Sequence, residues 1–93
     1  MKATKLLKYD KLDSLMLHRQ DDDGSRKTFY LKYVEKSGTI IEADNVVCTS
    51  VDRKRSTRRV KFLDSADASG NAQTRTLRDI LILQVDEYKI IKN

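Results

Sequence analysis

Lys27-Thr28-Phe29-Tyr30-Leu31-Lys32-Tyr33-Val34-Glu35 is the stretch that decides the fold. In an extended chain Phe29, Leu31 and Tyr33 fall on one side and Tyr30, Lys32 and Val34 on the other. That is a period of two, carried by the aromatic and β-branched residues that pack well on a pleated surface. The expectation is a strand with a core face, and the text around it reads as further strands and tight turns.

Upstream, Ser14 to Gln20 reads as a partner strand, and Asp21-Asp22-Asp23-Gly24-Ser25 as the Asp-Gly turn that joins the two into a hairpin. Downstream, Lys36-Ser37-Gly38 turns the chain, Thr39 to Ala43 returns, and Asp44-Asn45 separates that run from Val46 to Val51. Asp52 to Arg59 then forms or flanks a hairpin tip before a strand at Val60 to Asp64, and Ser65 to Gln73 reads as a loop. Ile80-Leu81-Ile82-Leu83 with Val85 fits a buried strand, helped by the β-branched residues there and at Ile90 and Ile91. A helix over 76–85 is the alternative, since Thr76 and Asp79 mimic a capping box. Residues 1–13 carry Lys2, Lys5, Lys8 and Lys11 at a spacing near three and fit a helical turn or an irregular arm equally.

These readings place one β-rich domain at 14–93 behind an N-terminal arm at 1–13. The fold class is all-β, with about six short strands. They form a twisted antiparallel meander or a partly closed barrel of SH3-like or OB-like type, with room for a short helix at a terminus. The expected core draws on Leu15, Leu17, Phe29, Leu31, Tyr33, Ile40, Val47, Val51, Val60, Phe62, Leu81, Leu83 and Val85. Tyr30 and Tyr88, each near a lysine, are expected to be exposed. Such scaffolds host many unrelated functions, so the fold alone carries little functional weight.

The chain has 93 residues, 39% of them hydrophobic and 35% charged. That supports a single core with a heavily charged exterior and argues against disorder. No apolar run is long enough to span a membrane or to serve as a signal peptide, so the expected location is cytoplasmic. A lone Cys48 cannot form an internal disulfide, and with one histidine in the chain no zinc framework is expected.

Candidate chemistry is sparse. His18 lies in a predicted strand without a nucleophile or orienting acid beside it and reads as an ordinary strand residue. The Asp21-Asp22-Asp23-Gly24 run suggests a calcium loop, but the twelfth position is Lys32 where a bidentate Glu is required. Gly24, Gly38 and Gly70 stand too far apart for a phosphate-cradling loop. No acid pair suits a glycosidase or protease. The expectation is therefore a non-enzymatic protein with no catalytic residue, cofactor or metal.

One feature rises above this background. Arg53, Lys54, Arg55, Arg58, Arg59 and Lys61 crowd into residues 51–61 against the single acid Asp52, giving the segment +5, the formal net charge of the entire chain. Guanidinium forks suit phosphate, and a basic hairpin can lie along a nucleic-acid backbone. The expected activity is thus a binding module that meets nucleic acid or another polyanion through these six residues, the arginines on phosphates and the lysines steering. The plainer reading is that the charges keep a sheet edge from pairing. In that case the chain is a structural or assembly subunit contacting proteins or copies of itself.

Overall fold

The computed structural model describes residues 2–16, 28–66 and 72–92. Among these residues seven strands form one sheet: β1 (Lys5–Lys8), β2 (Phe29–Val34), β3 (Ile40–Asp52), β4 (Thr57–Ala66), β5 (Ala72–Arg78), β6 (Ile82–Val85) and β7 (Tyr88–Ile91). Their spatial order is β1-β7-β6-β2-β3-β4-β5, and every pairing is antiparallel except β1 with β7. The all-β class holds. The sheet is mixed rather than a pure meander, and it remains open, with β1 and β5 as its edges.

Residues 14–16 are not the predicted strand. Leu12–Met16 make a single α-helical turn, α1, preceded by a 3-10 turn at Tyr9–Lys11. Leu12 and Met16 lie four apart, on one side of that turn, and both are completely buried in the core. Leu15 packs against the core from a partly buried position. Leu17, His18 and the Asp21–Gly24 turn lie outside the described residues. The basic N-terminal segment supplies an edge strand: the Thr4 and Lys5 N–H groups both donate to the Glu87 carbonyl, at 2.9 and 3.0 Å.

In the long strand β3, Asp44-Asn45 does not separate two strands as expected. The chain does not turn there; it bulges. Phe29 pairs with Val46 but Leu31 with Ala43, so one extra residue sits on β3 at this point, and Asn45 takes the left-handed φ of 54°. Such a bulge bends and twists the strand, letting one element serve β2 with its first half and β4 with its second. The Asn45 amide holds the bend by donating to both carboxylate oxygens of Asp64, at 3.1 and 2.9 Å.

A second extra residue between Cys48 and Ser50 resets the parity of the strand. Val46 and Cys48 face inward before it, and Val51 packs against the core after it. Val47 is also buried, opposite Lys61 but outside the central cluster. A third irregularity, between Lys32 and Tyr33 on β2, places Leu31 opposite Val85 and Tyr33 opposite Ile82. Ile82 and Val85 are fully buried in consequence, while Leu81, in a 3-10 turn at Asp79–Leu81, and Leu83 are only half-buried.

Other expectations fail for related reasons. Ile40 begins β3 at the sheet margin and is 56% exposed. Residues 72–78, assigned partly to a loop and partly to a helix or strand, form the edge strand β5. Tyr30 is buried rather than exposed. Its N–H donates to Asp86 Oδ1 at 2.9 Å, its carbonyl accepts from the Asp86 N–H at 2.9 Å, and its hydroxyl donates to Glu42. Burial, reinforced by that acceptor, pushes the Tyr30 phenol up to about 12. Tyr88 is half-buried, with the Lys5 ammonium 5.5 Å from its ring centroid.

The sheet curls over its inner face. Leu77 of β5, Phe62 of β4, Phe29 of β2 and Ile90 of β7 share one hydrophobic cluster with α1. Arg75 of β5 reaches across to Glu35 at the end of β2, with 3.1 Å between them, although β3 and β4 lie between these strands in the sheet. No helix among the described residues is long and apolar enough to cross a membrane.

Candidate functional site

The six cations of segment 51–61 do not act as one cluster. Thr57, Arg59 and Lys61 alternate along β4 with Arg58, Val60 and Phe62, and the period of two splits them between the faces of the sheet. Val60 and Phe62 face the core, and Arg58 goes with them. It is 3% exposed, which corrects its assignment to a solvent-facing tip.

Arg58 is the electrostatic centre of the interior. Its Nε donates to Asp79 Oδ1 at 2.7 Å and its Nη2 to Asp79 Oδ2 at 3.1 Å, a bidentate fork, while Nη2 also lies 3.1 Å from Asp13 Oδ1. Nη1 approaches the Met16 sulfur at 3.7 Å. Burial opposes the guanidinium charge, but the Asp79 hydrogen bonds and the neighbouring carboxylates more than offset it, so its pKa rises. Three separated pieces of chain meet here: α1 through Asp13, β4 through Arg58, and the 3-10 turn before β6 through Asp79.

Arg53 is partly committed as well, since it pairs with Asp13 at the hairpin tip. Arg55 is 82% exposed and only 3.9 Å from Asp52 across an open turn, while Lys54 projects freely. The Ser56 backbone closes this tip with a left-handed φ of 53°, its carbonyl accepting from the Asp79 N–H at 2.9 Å.

What the structure brings together is a different set. Ladder partners share a face, so Lys61 pairs with Thr74, Arg59 with Thr76, and Thr57 with Arg78 on the outer side of the β4–β5 pair. Arg59, Lys61 and Arg78 are exposed, and neither they nor Lys54 form an ion pair among the described residues. Thr49, Ser50, Thr74 and Thr76 surround them with exposed hydroxyls. The outer face is therefore a cationic, hydroxyl-bearing ladder with Asp52 at its tip end, where β3 pairs Asp52 with Thr57.

Arg78 is the member that sequence reasoning missed. Its signal is the alternation Thr74-Arg75-Thr76-Leu77-Arg78, which has the period of a strand but follows a loop-like tract. Arg75 and Arg78 lie three apart and so face opposite ways: Arg75 meets Glu35, whereas Arg78 joins the outer ladder.

Beside the tip lies a cleft of about 720 Å³ lined by Tyr9, Arg55, Ser56, Thr57, Arg78, Asp79, Ile80 and Lys92. A smaller groove of about 290 Å³ runs past Ser50, Val51, Asp52, Arg55, Thr57, Arg58, Arg59 and Thr76. Among the described residues no group of three or more His, Cys, Asp or Glu side chains could hold a metal ion. Cys48 is buried. Comparison of the chain with protein-family models, with curated proteins and with solved structures finds no match.

Proposed function

We propose that the chain is a small non-enzymatic binding module whose outer β4–β5 face contacts the phosphate backbone of nucleic acid. Arg59, Lys61 and Arg78 are the principal contacts, and Lys54 and Arg55 extend the field at the tip. The observation that carries this reading is that Arg59, Lys61 and Arg78 stand exposed on one face, outside the carboxylate network that neutralises Arg58.

Side chains two apart on a strand recur at about 6.6–6.8 Å, and neighbouring strands lie about 4.8 Å apart. The ladder thus offers a two-dimensional array of donors to phosphates rather than a single anion pocket. Arginine and lysine supply charge, and threonine and serine hydroxyls can donate to phosphate oxygens. Contacts of this kind position a polymer and give salt-dependent affinity without reading sequence. Leu63 continues the same side of β4 and is 46% exposed, adding apolar surface for a sugar or base.

Fluorescence anisotropy of labelled single-stranded DNA, duplex DNA and RNA tests this. Arg59→Ala/Lys61→Ala/Arg78→Ala should bind far more weakly than the parent while keeping its far-ultraviolet circular dichroism. Equal affinity of parent and variant would refute the reading.

A second reading rests on a separate observation. The strand β1 exposes Leu6 by 66% at an edge unpaired among the described residues, so two copies could join there. Light scattering across a concentration series distinguishes them, because a strict monomer rules out self-association.

A further inference from the structure

The cleft beside the hairpin tip is chemically unlike the ladder it adjoins. Its lining includes two exposed apolar side chains, Tyr9, 42% exposed on its 3-10 turn, and Ile80, 64% exposed on the next one. Three cations, Arg55, Arg78 and Lys92, line the same cleft. The single acid, Asp79, turns both carboxylate oxygens to Arg58 and so leaves the cleft no free negative charge.

Lys92 is a built feature of this lining rather than a loose surface lysine. Its ammonium donates to the Asp79 carbonyl at 3.3 Å and to the Ile82 carbonyl, which anchors it and leaves one of its three N–H groups for a ligand. Burial pulls its pKa below the usual lysine value, as expected of a partly buried cation. An exposed aromatic and an aliphatic side chain lining one cleft with three cations suit a flat, partly apolar anion, and the volume falls in the range of small-molecule sites.

The cleft also shares residues with the groove and the ladder. Arg55 and Thr57 line both it and the groove that passes Arg59, and Arg78 belongs to the cleft and to the outer face alike. We propose that the cleft is a site for one unstacked nucleotide, its base against Tyr9 and Ile80 and its phosphate on Arg55, Arg78 and Lys92. This rests on the backbone-binding reading in so far as the nucleotide belongs to a strand lying on the ladder. It makes the module selective for single strands, because a base within a duplex cannot leave its stack without cost whereas an unpaired one can seat on an aromatic side chain.

The test uses the full chain, a labelled single-stranded oligonucleotide, a duplex of the same sequence and adenosine monophosphate. Tyr9→Ala should weaken single-strand binding roughly 5- to 150-fold, the range found for loss of one base–aromatic stack. Tyr9→Phe, which keeps the ring, should bind as the parent does, and duplex affinity should not change with either. Amide chemical shifts at Tyr9, Arg78 and Lys92 of the parent should move saturably with the oligonucleotide. Movement with adenosine monophosphate as well shows that a free nucleotide suffices; movement with the oligonucleotide alone shows that the strand must supply it.

Unchanged single-strand affinity in Tyr9→Ala, with Arg59→Ala/Lys61→Ala impaired, would overturn the cleft assignment and leave the ladder standing. Saturable shifts with adenosine monophosphate in a parent that binds neither oligonucleotide nor duplex would instead support the cleft and overturn the ladder. No shifts with either probe would overturn the cleft even if Tyr9→Ala failed to fold.

Discussion

Replacing Arg58 by alanine tests the division of the basic cluster into an interior and an exterior half. The side chain is 3% exposed and holds two carboxylates, Asp79 at 13% and Asp13 at 23% side-chain exposure. Removing one partner of a buried ion pair costs about 3–5 kcal/mol, because the remaining charges lose their counterion away from water. Both carboxylates here retain some access to solvent, which can rehydrate them, so the expected loss is near the lower end, about 3 kcal/mol. A domain of this length has a total stability of about 5–14 kcal/mol, and each kcal/mol moves the midpoint of a small domain by about 4–8 °C. Arg58→Ala should therefore lower Tm by about 12 °C or more, and Arg58→Lys should not restore it fully, since an ammonium cannot reproduce the fork on Asp79. Arg59→Ala, the next residue on the exposed face, should change stability by no more than about 0.5 kcal/mol. Paired urea titrations read both values, and a double-mutant cycle with Asp79→Ala isolates the coupling. If Arg58→Ala behaved like Arg59→Ala, the interior role of Arg58 would be refuted.

Three further outcomes follow from the fold. Asn45→Ala should cost about 1–2 kcal/mol, from the left-handed φ and the lost amide contacts with Asp64, while Asn45→Gly should recover the backbone part, as urea midpoints would show. Leu12→Ala, at a fully buried position, should cost about 2–5 kcal/mol by the same measurement, whereas a segment lying loosely on the surface would tolerate it. The Tyr30 phenol is raised from its ordinary value of 10.0 to about 12, so the folded state disfavours its ionisation. Its favourable contribution is complete below about pH 10 and declines as the pH climbs towards about 12, where the unfolded chain gains by losing the proton. Tyr30→Phe should flatten that alkaline decline in a pH series of melting curves.

The period of two at Phe29–Tyr33 and the Gly38 turn were enough to read the strand class and the inward set Phe29, Leu31, Tyr33, Val60, Phe62 and Val85 from residues alone. The bulges at Asn45, near Thr49 and near Leu83 were not legible. Each adds one residue to a strand and reverses its parity, and nothing in a simple alternation marks the position where this happens. Leu12 and Met16 are four apart, as one helical turn requires, but a single turn is too short for periodicity to mark it beside the strand-like text of Ser14 to Gln20.

The candidate site was half legible for a related reason. Charge density located the segment, but charge density has no faces; only the strand register separates Arg58 from Arg59 and joins Arg78 to Lys61. The partners of Arg58, Asp13 and Asp79, lie 45 residues before it and 21 after it, beyond the reach of local patterning.

The most direct test of the central claim is the slope of log binding constant against log salt concentration for single-stranded DNA, measured with the parent and with Arg59→Ala/Lys61→Ala/Arg78→Ala. Each phosphate contact to a single strand contributes about −0.7 to that slope. If the three cations meet three phosphates, the variant's slope should be shallower by about 2 and its affinity at low salt much reduced. A parent slope near zero, or a variant slope equal to the parent's, would contradict the assignment of this face to a nucleic-acid backbone.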